Sequence, residues 1–164
     1  MPSPSPVRRA TLADSEEILR VVNLAYRVEV FFINGDRIAL PDLQERLARP
    51  GTEFLVIDGA APGTLVAAVQ FEHRGDHGWF GLLAVDPACQ GQGHARSLIS
   101  AIEARCRTLG LPTLEICVVD LRQELPAFYA QFGFTETGRE SFPDTEKLTR
   151  PAGLIVMRKP VGQG

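Results

Sequence analysis

The strongest constraint on this chain is an apolar run that stops at Asp-Pro, crosses a glycine-rich loop and continues as an amphipathic segment. It spans residues 82–96, with the sequence LLAVDPACQGQGHAR. A strand that turns into a helix through such a loop directs several backbone N–H groups and the positive end of the helix dipole at one point. Gly91 and Gly93 lack the Cβ atoms that would keep a phosphate away from the backbone. The segment therefore predicts a pyrophosphate site.

Two common phosphate-binding loops do not fit this segment. A P-loop requires Lys and then Ser or Thr directly after its second glycine, but His94 follows Gly93. A dinucleotide-binding loop requires a third glycine where Arg96 stands. An ordinary tight turn between a strand and a helix, with no ligand, remains the alternative.

Length and composition predict a single domain without nucleic-acid or membrane partners. The chain has 164 residues, of which 45% are hydrophobic and 23% charged, and a net charge of -3. These values are typical of a globular domain that does not attract nucleic acid or anionic lipid. We expect the domain to cover residues 7–160, after a disordered proline-rich tail at residues 1–6. Three cysteines without paired or metal-like spacing, no signal peptide and no long apolar run predict a cytoplasmic protein.

Hydrophobic periodicity predicts an α/β (α+β) fold with the element order α-α-β-β-β-α-β-α-β-β. The first helix follows a capping box formed by Thr11 and Asp14 and runs to about Val28, and a short second helix covers residues 42–48. The long helix after the glycine loop buries one apolar stripe and stops at Gly110. The strands are expected at residues 53–58, 64–72, 78–85, 113–119, 134–139 and 154–159. The result is a mixed, mostly antiparallel central sheet flanked by helices.

Two sequence blocks resemble one known family. Gln90, Gly93 and Ala95 form the pattern Gln-x-x-Gly-x-Ala, which resembles the acyl-CoA pyrophosphate loop of the GNAT superfamily of N-acetyltransferases. Residues 125–134, LPAFYAQFGF, resemble the family's Phe-Tyr-x-x-x-Gly-Phe segment. The element order is similar to the GNAT fold over residues 7–160. The resemblance implies an enzyme that transfers an acetyl group to a primary amine by direct attack in a ternary complex, with acetyl-CoA as co-substrate and no metal.

The resemblance also implies where the co-substrate binds. A bulge near residues 81–84 opens the strand at residues 78–85 so that the pantetheine arm inserts beside it. The main-chain contacts to that arm come from Leu83, Ala84 and Val85. The pyrophosphate is held by the loop residues Gln90, Gly91, Gln92, Gly93, His94, Ala95 and Arg96. The Arg96 side chain either adds charge there or is a solvated residue of the first helical turn. Arg122 stands where relatives often have an asparagine, so it reaches a phosphate or an acidic substrate instead.

Acetyl transfer to an amine needs a proton donor for the departing sulfur. By resemblance, Tyr129 is this donor, because the family's tyrosine at this position commonly lies beside the cofactor sulfur. A phenol has a pKa of roughly 10, so it is protonated at neutral pH and can donate without prior activation. The alternative role of Tyr129 is that of a packing aromatic.

The reaction also needs a group that removes a proton from the amine, whose pKa of roughly 10 keeps it charged at neutral pH. Many relatives carry a carboxylate on the strand that contains Trp79, and this chain lacks it. Glu115 is the best substitute, because it alternates out of the apolar face of the next strand. Glu72 and His73 are weaker candidates, and a water chain to bulk solvent is the main rival.

The acceptor site is expected between the first helix, the loop after it and the region of residues 142–150. The candidate substrate-binding residues are Tyr26, Glu29, Phe31, Phe32 and Trp79. Glu29 and Asp36 suit an amine with an apolar body, whereas Arg27 and Arg37 suit a carboxylate, as in an amino acid. The pattern does not decide between these acceptors, between a small molecule and a peptide amine, or between a monomer and a homodimer.

Other chemistries fit the sequence less well. A catalytically silent acyl-CoA-binding sensor or interaction module would explain the missing strand carboxylate and Arg122, but Tyr129 favours the enzyme. His73 and His77 flank a turn, so they do not form the metal pair that the same spacing gives on a helix. Cys117 is expected to be a small buried apolar residue and not a nucleophile.

Overall fold

A seven-stranded sheet forms the centre of the computed structural model, which describes residues 6–162. The strands are β1 (Val7–Arg9), β2 (Thr52–Asp58), β3 (Leu65–Arg74), β4 (His77–Val85), β5 (Thr113–Val119), β6 (Thr135–Ser141) and β7 (Gly153–Pro160). The α-helices of the described residues are α1 (Ser15–Ala25), α2 (Leu40–Ala48), α3 (His94–Leu109) and α4 (Glu124–Ala130). The strand order is β1-β2-β3-β4-β5-β7-β6, and β4 and β5 run parallel while the other neighbours are antiparallel. The predicted mixed, mostly antiparallel α/β fold is confirmed.

Helices cover both faces of this sheet because each has one apolar stripe to bury. On one face, Leu98 and Ile102 of α3 pack with Phe80 of β4 in the larger core. On the other face, Val21 of α1 and Leu43 of α2 join a second core against β2, β3 and β4. The two layers enclose β4, and α3 also packs on β5, which fixes the position of the sheet edges between these strands.

The elements near the start of the chain differ most from the prediction. Strand β1 was not predicted, because three residues are too few to show an alternating pattern. It is held at the sheet edge by Arg8, whose guanidinium pairs with Asp14 at 2.8 Å and with Asp58 at 2.9 Å. The first helix ends at Ala25, and the chain continues as a 3₁₀ turn to Glu29.

Residues 1–5 of the predicted disordered tail lie outside the described residues. The single domain over residues 7–160 stays a prediction. No helix in the part of the chain that the structure describes is both long and apolar enough to cross a membrane.

Candidate active site

The parallel strands β4 and β5 pair only at their first residues and then separate. Gly78 lies opposite Leu114 and Trp79 lies opposite Glu115, and no later residues of the two strands pair. The β5-facing edge of β4 is therefore without a strand partner over residues 80–85. Backbone N–H and C=O groups at such an edge require polar partners. The gap between the strands suits an extended ligand with amide groups.

A bulge in β4 lies beside this gap. Between the pairs Ala68–Ala84 and Gln70–Gly81, β4 has two residues where β3 has one. Leu82 in the bulge has a φ of 52°, and it is the one described non-glycine residue with a positive φ. This backbone conformation costs roughly 1–2 kcal/mol for an L-residue, and burial of the leucine side chain offsets it. The predicted opening of this strand is confirmed.

A cleft of about 1170 Å³ occupies the gap and extends towards α1. The predicted site residues that line it are Tyr26, Glu29, Trp79, Leu83, Val85, Gln90, Gly91, Gly93, His94, Ala95, Arg96, Arg122 and Tyr129. The predicted site residues outside its lining are Phe31, Phe32, Ala84, Gln92 and Glu115. Among the described residues, no group of three or more His, Cys, Asp or Glu side chains is placed to hold a metal ion.

The loop between β4 and α3 presents free backbone donors to one end of this cleft. Gly91 and Gly93 have φ values of 79° and 85°, and a Cβ atom at either would meet nothing within 4 Å. The backbone N–H groups of residues 90–96 donate no hydrogen bond to another described residue. Nδ1 of His94 is also buried without a partner among the described residues. Together with the dipole of α3, these donors and the open space fit the pyrophosphate of an acyl-CoA.

Tyr129 of α4 lines the same cleft, and only 8% of its surface is exposed. The rings of Phe80, Phe128 and Phe134 surround it, with centroids 6.1, 5.0 and 5.9 Å from that of the tyrosine. Burial raises the pKa of Tyr129 well above its usual range. The phenol therefore stays protonated at neutral pH, and the surrounding rings hold the tyrosine ring in place.

Glu29 is a buried carboxyl in the cleft wall, with 6% of its surface exposed. Nη1 of Arg122 donates a long hydrogen bond of 3.4 Å to its Oε2, while Nε of the same arginine donates to Glu124 at 2.9 Å. Burial raises the pKa of Glu29 above that of an ordinary carboxyl, and the nearby Arg122 and Arg37 counteract this only in part. A carboxyl with a raised pKa is a better proton acceptor near neutral pH.

Glu115, the base candidate from the sequence, lies outside the cleft lining. It lies opposite Arg158 in the β5–β7 pair, and Nε of that arginine donates to its Oε2 at 2.7 Å. Nε2 of His77 is 3.9 Å from the same oxygen. The Glu115 carboxylate is thus ion-paired with Arg158 at the end of the gap where β4 and β5 still pair. Of the weaker candidates, Glu72 lines the cleft in an ion pair, and His73 is exposed outside it.

Phe31 and Phe32 support the loop after α1 and do not line the cleft. Phe32 is fully buried in a small core with Ile33 and Val119. Phe31 is 42% exposed, and its ring contacts that of Phe32 edge-on at 4.7 Å. Neighbouring residues in a turn point in different directions, so a pair of aromatic residues in sequence does not identify which of them faces a ligand.

Trp79 forms a flat section of the cleft wall. The guanidinium carbon of Arg74 lies 4.1 Å from the centre of its ring system, and Arg74 is in turn ion-paired with Glu72. A Cβ atom on Gly81 would lie 2.3 Å from Cη2 of the tryptophan, so only glycine lets the ring lie along β4. The sequence analysis placed Gly81 at the start of the predicted bulge but did not predict its contact with Trp79, and it did not identify Arg74 as part of the site. The available signal for Gly81 was a glycine between bulky apolar residues inside a strand.

Solved acetyltransferase structures share this fold. The chain aligns with the ribosomal-protein-S18-alanine N-acetyltransferase from Escherichia coli at 18% identity and a TM-score of 0.76, over 96% of this chain and 94% of that one. It aligns with a phosphinothricin acetyltransferase of the GNAT superfamily from Sinorhizobium meliloti, in complex with AcCoA, at 15% identity and a TM-score of 0.75, over 99% and 91%. The ribosomal-protein-alanine N-acetyltransferase from Brucella melitensis aligns at 21% identity and a TM-score of 0.73, over 94% and 98%. No curated protein sequence matches the chain significantly.

The fold is that of the GNAT acetyltransferases. The model of the acetyltransferase (GNAT) family matches residues 19–134. The chain belongs to this family, which confirms the resemblance found in the sequence.

Proposed function

We propose that this protein transfers the acetyl group of acetyl-CoA to a primary amine by direct attack in a ternary complex. The observation that carries the proposal is a single cleft lined by the glycine loop, by Tyr129 and by Glu29. This arrangement offers an anion site for the donor, a protonated phenol and a buried carboxyl. Both side chains are almost fully buried, so water competes little with their contacts to reactants.

The donor is held by the backbone of two neighbouring segments. The N–H groups of residues 90–96 bind the pyrophosphate, and the free edge of β4 at Leu83 and Val85 pairs with the amides of the pantetheine arm. Arg96 lies with its guanidinium carbon 4.9 Å above the ring of Phe132, which orients its charge at the loop. A backbone N–H at the bulge polarises the thioester carbonyl, because the bulge releases it from the strand ladder.

Tyr129 and Glu29 move the protons. Glu29 receives one proton from the ammonium of the acceptor and passes it to solvent, which leaves a neutral amine. As the new C–N bond forms and the C–S bond breaks, Tyr129 protonates the departing sulfur. The second proton lost by the nitrogen restores the phenol. The sum is an N-acetylated amine, a free thiol and one released proton.

Glu29→Gln is expected to lower kcat by about 100-fold, the lower end of the usual contribution of a general base. The wild-type rate rises with pH as Glu29 ionises, and burial places this rise above the pKa of an ordinary carboxyl. The variant loses the increase in rate that comes from ionisation of Glu29. It keeps only the increase that comes from deprotonation of the amine, whose pKa is roughly 10. The measurement is thiol release at saturating amine between about pH 5 and pH 9.

Glu115→Gln is the matched control, because it removes a buried carboxylate that lies outside the cleft. It is expected to keep the wild-type pH profile, although it weakens the ion pair with Arg158. An unchanged rate and pH profile in Glu29→Gln would remove Glu29 from the mechanism. An altered profile in Glu115→Gln alone would restore the assignment made from the sequence.

A further inference from the structure

The cleft contains more positive side chains than its own carboxylates neutralise. The lysine and arginine residues in its lining are Arg37, Arg46, Arg49, Arg74, Arg96, Arg122 and Lys147. Five of them are in ion pairs, namely Arg46 with Asp42, Arg49 with Glu45, Arg74 with Glu72, Arg122 with Glu29 and Lys147 with Asp144. Arg37 and Arg96 have no carboxylate partner among the described residues. A guanidinium held in a cleft without a counter-ion favours binding of an anion from outside.

The two unpaired arginines belong to different parts of the cleft. Arg96 is in the first turn of α3 beside the glycine loop, where the phosphates of the donor account for its charge. Arg37 follows the turn after α1, and its guanidinium carbon lies 5.5 Å from the ring centre of Tyr26. Its positive charge also partly counteracts the rise that burial causes in the pKa of the Glu29 carboxyl. Arg37 is therefore part of the acceptor side, and the donor phosphates do not explain it.

We propose, on the basis of the proposed function, that Arg37 binds an acidic group of the acceptor and that the acceptor is an amine that also carries a carboxylate. The planar guanidinium presents paired N–H donors that match a carboxylate. Glu29 takes the ammonium group of the same molecule. An acceptor with both charges, of the amino-acid type, complements this pair of residues.

Of the four charged candidates near the acceptor in the sequence, only two face the cleft. Glu29 and Arg37 line it, whereas Arg27 and Asp36 are exposed outside it. An apolar amine would leave Arg37 half-buried with no anion, and binding such an amine would desolvate the guanidinium at a cost. The side chains that share the cleft therefore favour an amino acid over an apolar amine, the alternative that the sequence left open.

The test compares matched acceptors with and without the acid. Phenylalanine is paired with phenethylamine and leucine with isopentylamine, and thiol release gives the ratio of kcat/KM within each pair. The Arg37→Gln variant is expected to lower the ratio of acid to amine by about 10- to 100-fold, mainly through KM, as for a lost charge-assisted hydrogen bond. The control Arg27→Gln, on an exposed arginine outside the cleft, keeps the wild-type ratio. Acetyl-CoA affinity and melting temperature stay unchanged in both variants.

If Arg37→Gln still transfers to amines and keeps the wild-type ratio of kcat/KM for acid and amine, the inference is overturned. Wild-type protein that transfers to apolar amines without preferring the acids would also overturn it, and the proposed function would stand. If no acceptor is acetylated, the proposed function fails, and calorimetric binding of the amino acids to the protein–CoA complex decides the inference. Binding that weakens in Arg37→Gln supports the inference, and binding that does not change overturns it.

Discussion

Gly93→Glu is expected to abolish acetyl-CoA binding, with a loss of affinity of more than about 100-fold, or roughly 2.7 kcal/mol. Gly93 is the N-cap of α3 with a φ of 85°. An L-residue there costs roughly 1–2 kcal/mol. The glutamate side chain would also fill the open space of the loop and place a negative charge against the pyrophosphate. Titration calorimetry with acetyl-CoA measures the loss directly.

Gly63→Glu is the matched control for the effect of Gly93→Glu on the backbone. Gly63 has a φ of 78°, a Cβ there would also meet nothing within 4 Å, and the residue lies outside the cleft lining. The two variants should lose similar stability, since both force an L-residue into the left-handed region. Only Gly93→Glu should lose affinity. If Gly93→Glu bound acetyl-CoA as tightly as Gly63→Glu, this loop would not bind the pyrophosphate.

Tyr129→Phe is expected to lower kcat by about 100- to 10,000-fold, the usual contribution of general acid–base catalysis. The affinity for acetyl-CoA should stay within about threefold of wild type, because the hydroxyl contributes little to ground-state binding. The ring keeps its edge contacts with Phe80 and Phe134, so the fold is preserved. Steady-state thiol release and calorimetry separate these two effects.

A change of leaving group distinguishes proton donation by Tyr129 from a packing role. An acetyl thioester of an acidic aryl thiol needs no proton on the departing sulfur. The ratio of the wild-type rate to the Tyr129→Phe rate should therefore fall towards one with this donor. A ratio that is equally large for both donors would show that Tyr129 acts by ordering the site and not by donating a proton.

The part of the cleft that we propose binds the donor was predictable from sequence because one continuous segment builds it. The end of β4, the glycine loop and the start of α3 follow one another, and the left-handed glycines at Gly91 and Gly93 have a local cause. The apolar stripe of α3 is equally local. Tyr129 came from a second short block that resembles the family. The loop and the helix depend on contacts close in sequence, which spacing reveals, whereas the role of Tyr129 rested on the family resemblance.

The part of the cleft that we propose binds the acceptor was less predictable, because distant segments form it. Glu115 alternates out of the apolar face of β5 as expected, but the register with β7 brings Arg158 opposite and engages it. Glu29 is buried where the turn after α1 contacts Arg122, 93 residues further along the chain. That Arg37 lacks a carboxylate partner becomes visible only once the ion pairs of the neighbouring cationic side chains are known. Such pairings depend on strand register and packing, which no local pattern specifies.

The most direct test of the account is amine-dependent thiol release by the wild-type protein with acetyl-CoA across a broad panel of amines and amino acids. We expect thiol and N-acetylated product in equal amounts, with the product identified by mass spectrometry. Protein that binds acetyl-CoA tightly yet releases no thiol with any acceptor would contradict it. That result would support the alternative of a catalytically silent acyl-CoA sensor.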